Sequence, residues 1–146
     1  MKEMLGNRRV RILVVDPEDW CRDFLSSVMR LCGFQEYTLV SSVAEALQAL
    51  EETAFDLLIT DFKLTQQQRF LESVRHRDPS MRFIFMLQQR SHTTRLTYLE
   101  HADYVFKPLV LDEIVRKIRD AIHQKNLHRA EEEIRRLKQT AFRILG

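Results

Sequence analysis

At 146 residues and 45% hydrophobic, the chain can bury one core of ordinary domain size. Its 23 basic and 21 acidic residues leave a formal charge of +2, too even a balance to create the single-signed field that draws nucleic acid or a membrane surface. No apolar run approaches the ~20 residues of a membrane span, and the opening MKEMLGNRRV lacks the apolar middle of a secretory signal, so a cytoplasmic protein is expected.

The first element is VRILVVD, Val10 to Asp16, a β-branched run without alternation. Such a run suits a strand covered on both faces of a parallel sheet. A helix should follow from Pro17, with Glu18 and Asp19 as helix-start charges, Phe24, Leu25, Val28 and Leu31 at helical spacing, and Gly33 as its stop. Cys21 and Cys32 are too far apart along this helix to bridge, so both are expected as free thiols. YTLVSS is a weaker strand, and Ser42 can cap the helix VAEALQALEE, whose Val43, Ala46, Leu47 and Leu50 share a face. FDLLITD, Phe55 to Asp61, repeats the buried-strand pattern and again ends in an aspartate.

A third helix is expected from Gln66 to His76 through Phe70, Leu71 and Val74, closed by Asp78 and Pro79. MRFIFML is a further buried strand, Thr93 to Glu100 a short helix, and DYVFKP a last strand that Pro108 must end. From Leu109 the chain reads helical to its close, with no proline or glycine before Gly146.

Strands alternating with helices at this spacing imply right-handed crossovers and a parallel sheet with helices on both faces. Ligands of such sheets sit outside the carboxyl ends of the strands. Asp16, Asp61 and Lys107 all fall at predicted carboxyl ends, so folding can gather them on one rim. Two carboxylates held close repel unless a cation joins them, and Mg²⁺ favours one or two carboxylates with water and phosphate oxygens. A lysine opposite them supplies a compact charge for a phosphoryl oxygen. Taken singly, each residue has an ordinary reading: a loop-capping aspartate, a solvated lysine. The five histidines lack the i, i+4 spacing of a helical metal pair, and no glycine-rich phosphate loop follows the first strand.

The segments ILVVDPED, DLLITDFKL and DYVFKPLVLDEI together resemble the signatures of the response-regulator receiver domain of two-component signalling, over about Arg11 to Ile122. The resemblance implies a flavodoxin-like α/β fold, a doubly wound five-stranded parallel sheet in the order 2-1-3-4-5, a topology for which a receiver protein is itself a standard illustration. It also implies Asp61 as phosphoacceptor from a sensor histidine kinase, Lys107 as the phosphoryl contact, and Mg²⁺ held by Asp16, Asp61 and the backbone carbonyl of Lys63. The Lys107–Pro108 bond would be cis, and Tyr104 would match the aromatic that in relatives swings between inward and outward positions.

The sequence also departs from that family. Pro17 stands where a second acid usually follows Asp16, leaving Glu18 as substitute metal ligand if the loop shifts. Leu87 or Gln88 occupies the usual Thr/Ser switch position, and Thr65 and Arg69 replace a proline and a glycine after the acceptor. These departures support an alternative: a degenerate pseudo-receiver acting as a phosphorylation-independent interaction or dimerisation module.

The receiver is assigned to residues 8–122 and a helical extension to residues 123–146. Within the extension Leu127, Ala130, Ile134, Leu137, Ala141 and Ile144 alternate three and four apart, a seam of about two and a half heptads, while Glu131 and Glu132 precede Arg135 and Arg136 by one turn. The expected partners are therefore a second copy of the chain through this helix, forming a coiled coil, or an effector domain in a longer chain. No helix-turn-helix or other output motif is present, so no direct nucleic-acid contact is expected.

Overall fold

The computed structural model describes residues 9–88 and 101–145. The helix expected over Thr93 to Glu100 lies outside the described residues. Five strands, β1 (Arg11–Val15), β2 (Glu36–Val40), β3 (Leu57–Asp61), β4 (Arg82–Leu87) and β5 (Ala102–Phe106), form one sheet in the order β2-β1-β3-β4-β5, with every neighbouring pair parallel. This is the flavodoxin-like order that the resemblance implied.

Alternate residues along the central strands enter two different cores. Ile12, Val14, Leu57, Ile59, Ile84 and Met86 face α1 (Asp19–Leu31) and the last helix, α4 (Leu111–Leu145), through Cys21, Leu25, Val28, Met29, Ile114 and Ile118. Leu13, Val15, Leu58, Phe83 and Phe85 face α2 (Val43–Glu52) and α3 (Phe70–Arg77) through Val43, Ala46, Leu50, Phe70 and Val74. Burial on both faces explains why these strands read as continuous apolar runs. Burying each large side chain contributes roughly 1.5–3 kcal/mol, so the sheet rests mainly on this two-sided packing.

The helix ends follow local chemistry. Ser42 Oγ accepts from the Glu45 backbone N–H at 3.2 Å and donates to the Glu45 carboxylate at 3.1 Å, capping α2 as expected. Gly33 adopts φ +82° and closes α1 with the N–H of Phe34 returning to the Met29 carbonyl at 2.9 Å. The third helix starts later than the Gln66 expected. A 3-10 segment, Phe62–Arg69, follows Asp61, and Gln68 and Arg69 both take left-handed backbone angles before α3 opens at Phe70. Left-handed angles cost a residue with a Cβ about 1 kcal/mol, and they interrupt the helix despite its apolar pattern.

The Lys107–Pro108 bond is cis, as the resemblance implied. The last helix runs unbroken for 35 residues and stays packed on the domain beyond residue 122. Lys125 is buried, donating to Asp78 Oδ2 at 2.9 Å and to Ser80 Oγ at 2.8 Å, and Arg129 pairs with Asp56. Beyond Arg129 the apolar residues are exposed, Ile134 by 51% and Leu137 by 61%. Arg135 pairs with Glu132 at 2.6 Å and Arg136 with Glu133 at 3.5 Å along the free turns. No helix among the described residues is long and apolar enough to cross a membrane.

Candidate functional site

Sheet register assembles the rim. Val15 pairs with Thr60, so the next step along both strands brings Asp16 level with Asp61. Leu87 pairs with Phe106, which sets Gln88 and Lys107 side by side just past the ends of β4 and β5. Asp16 is fully buried and Asp61 is 2% exposed. Residues far apart in sequence thus share one pocket.

Lys107 Nζ stands at its centre, 2.7 Å from Asp16 Oδ2, 2.8 Å from Glu18 Oε1 and 3.1 Å from Asp61 Oδ2. Burial alone would make the ammonium easier to deprotonate, but the contacts with the three carboxylates outweigh it and raise its pKa. Asp61 Oδ1 accepts the Lys63 backbone N–H at 2.9 Å, which fixes the Asp61 carboxylate at the start of the 3-10 segment.

Glu18 is the largest difference from the sequence reading as a helix-start charge. It precedes α1, yet its carboxylate makes no cap bond to the helix. Pro17 and the Asp16 side chain turn the loop instead: Asp16 Oδ1 accepts the Glu18 backbone N–H at 2.8 Å. The Glu18 side chain then points into the rim, where it accepts from Trp20 Nε1 at 2.8 Å and from Gln88 Nε2 at 3.0 Å. Hydrogen bonds from Lys107 and then Trp20 hold its pKa below the ordinary carboxylate range. Asp19 keeps the helix-start role and pairs with Arg22.

Of the two residues considered for the switch position, Leu87 is buried, whereas Gln88 faces the rim. The Gln88 contact with Glu18 was not foreseen, and no local sequence pattern marks it. Tyr104, half-buried on β5, packs against Phe85 with ring centroids 5.7 Å apart. The Lys107 ammonium lies 5.7 Å from the centre of the exposed Trp20 ring. Both cysteines are free; Cys21 is fully buried, and that burial pushes its thiol up to about 12.

The donors suit a divalent cation. Asp16, Glu18 and Asp61 each offer an oxygen, and the three oxygens lie within 4.8 Å of one another. The buried Asp16 Oδ2 meets Lys107 Nζ as an ion pair at 2.7 Å and has no other polar partner among the described residues. One ammonium against three carboxylates leaves excess negative charge, and an all-oxygen set of this kind fits Mg²⁺.

The profile of the response regulator receiver domain matches residues 12–119. A response regulator receiver domain protein from Clostridium thermocellum is similar at 26% identity and TM-score 0.69, covering 81% of this chain and 98% of that one. A CheY-like response regulator receiver domain protein from Methanospirillum hungatei JF-1 shares 23% identity at TM-score 0.71, over 83% of this chain and 99% of that one. NtrX from Brucella abortus, 21% identical at TM-score 0.76, is matched over 87% of this chain but 30% of its own length. A search of curated proteins found no match. With the signature residues gathered on one rim and the profile spanning most of the sequence, this chain belongs to the response regulator receiver domain family.

Proposed function

We propose that this protein is a cytoplasmic phosphoacceptor module that takes a phosphoryl group on Asp61 from a sensor histidine kinase. The observation that supports this best is the placement of Asp61, buried at the end of β3 and 3.1 Å from the Lys107 ammonium. An Asp61 carboxylate oxygen attacks the phosphorus, its bond to phosphorus forms as the P–N bond of the phosphohistidine breaks, and the imidazole keeps that electron pair. Lys107 meets negative charge on the transferring group, and the Lys63 N–H orients the attacking carboxylate. Asp16, Asp61 and the Lys63 backbone carbonyl would hold Mg²⁺, without the second acid that Pro17 replaces. The ion when bound supplies positive charge to the phosphoryl oxygens. The protein is a substrate of its kinase that assists its own transfer, not an enzyme acting on metabolites.

The extended α4 carries the output in this reading. Its exposed seam from Ala130 to Ile144 pairs with a second copy of the chain in a parallel coiled coil, or leads to an effector domain in a longer chain.

A second reading is favoured by Gln88, which has no hydroxyl to follow a phosphoryl group: the module has lost phosphorylation and serves as a scaffold. Incubation with a small-molecule phosphodonor and Mg²⁺ separates the two. Phosphate-affinity gels should show a retarded species for the wild type and none for Asp61→Asn. No retarded species in the wild type would establish the scaffold reading.

A further inference from the structure

The Glu18 carboxylate is bound as an oxyanion would be. Lys107 Nζ and Gln88 Nε2 both donate to Oε1, at 2.8 and 3.0 Å, and Trp20 Nε1 donates to Oε2 at 2.8 Å. Lys107 and Gln88 stand just past the ends of β5 and β4, and Trp20 lies in the first turn of α1. Lys107 is also 3.1 Å from Asp61 Oδ2, so an acyl phosphate formed there would bring its oxygens to the same ammonium. A phosphoryl group on Asp61 would add negative charge beside an ammonium that already meets three carboxylates, so it would repel the Glu18 carboxylate from Lys107 and the Gln88 amide.

We propose that Glu18 is an internal stand-in for the phosphoryl group, occupying its place on Lys107 and Gln88 until the group arrives. This rests on Asp61 being the phosphoacceptor. Loading then requires exchange: Glu18 withdraws, and Lys107 and Gln88 pass to the phosphoryl oxygens. Glu18 thereby weakens anion capture in the resting state and holds Gln88 in a bound-like position beforehand. Its side chain, 34% exposed, is placed at the mouth of the pocket, where it can swing outward without disturbing the core. Trp20, whose indole N–H holds the other oxygen, sets how readily it leaves.

The test uses the full chain with saturating Mg²⁺ and beryllofluoride as the phosphoryl probe, read from the backbone amides of Asp61 and Lys63 by NMR. Removing a competing charge-assisted acceptor should tighten beryllofluoride binding about tenfold in Glu18→Ala. Glu18→Gln, which matches the native shape and keeps an acceptor for Trp20, should shift affinity in the same direction and guards against misfolding of the alanine variant. Equal affinity in all three proteins would overturn the stand-in role while leaving Asp61 as acceptor. Weaker binding in Glu18→Ala, accompanied by weaker binding of Mg²⁺ alone, would make Glu18 a metal ligand and equally overturn it. Binding in none of the three would overturn the acceptor reading and this inference together.

Discussion

A lysine is buried beside carboxylates at each end of the sheet. Lys107, its side chain 4% exposed, sits at the carboxyl ends of the strands among Asp16, Glu18 and Asp61. Lys125, its side chain 5% exposed, sits beneath the amino ends with Asp78, one turn of helix from the Arg129–Asp56 pair. The lower cluster is matched in charge and in hydrogen bonds: Asp78 Oδ1 accepts from the Ser80 N–H and hydroxyl, and Asp56 Oδ2 accepts from the Arg11 N–H. The upper cluster sets one ammonium against three acids, and among the described residues Asp16 Oδ2 has no polar partner besides that ammonium. Equal burial therefore serves different ends. Balanced charge ties the last helix to the domain, whereas the surplus at the upper cluster is of the sign that a bound cation would offset.

Removing each lysine should separate the two clusters. Lys107→Met strands three acids, at least two of them deeply buried, and is expected to cost about 3 kcal/mol in urea unfolding. Because the surplus there is anionic, added Mg²⁺ should recover part of that loss. Lys125→Met leaves Asp78 with its Ser80 partners and partial access to water, so about 1–2 kcal/mol is expected, with no recovery by Mg²⁺. Equal Mg²⁺ responses in the two variants would erase the distinction.

Acid sharpens the comparison at the lower end. Burial opposes ionisation of Asp78, but hydrogen bonds from Lys125 and Ser80 outweigh it and depress its pKa from the usual 3.8. A depressed carboxylate contributes stability that is fully present above its unfolded pKa and lost as pH falls through the folded one. Thermal melts from about pH 5 down to about pH 3 should therefore show a steeper fall for the wild type than for Lys125→Met, which has already lost the main cause of the depression. The smallest effect on stability belongs to the free end of α4. Ile134→Glu with Leu137→Glu should leave unfolding within about 0.5 kcal/mol per site, because both side chains are exposed, yet convert a dimer to a monomer in light scattering. An unchanged mass would remove the seam as the dimer contact.

The upper cluster was largely legible in the sequence and the lower one was not. Asp16, Asp61 and Lys107 each end a short apolar run, and parallel strands in register must bring such ends together. Spacing leaves Glu18 as either a helix-start charge or a substitute acid on the rim, because it cannot show how Pro17 and the Asp16 side chain bend the intervening turn. Gln88 was recognised only as a missing hydroxyl, since its partner lies 70 positions away. Lys125 and Arg129 fall on a helix where basic residues ordinarily face water, and their partners Asp78 and Asp56 are 47 and 73 positions distant. The late start of α3 was hidden because the apolar pattern through Phe70 and Val74 carries no sign of left-handed angles at Gln68 and Arg69.

The central claim is that surplus charge on the carboxyl rim recruits a divalent cation. Trp20, the sole tryptophan, donates to Glu18 and lies beside Lys107, so its fluorescence reports on the pocket. Titration with Mg²⁺ should give a saturable change in the wild type and in Lys125→Met, and none over the same range in Asp16→Asn. A flat response in the wild type, or the same curve in Asp16→Asn, would contradict it.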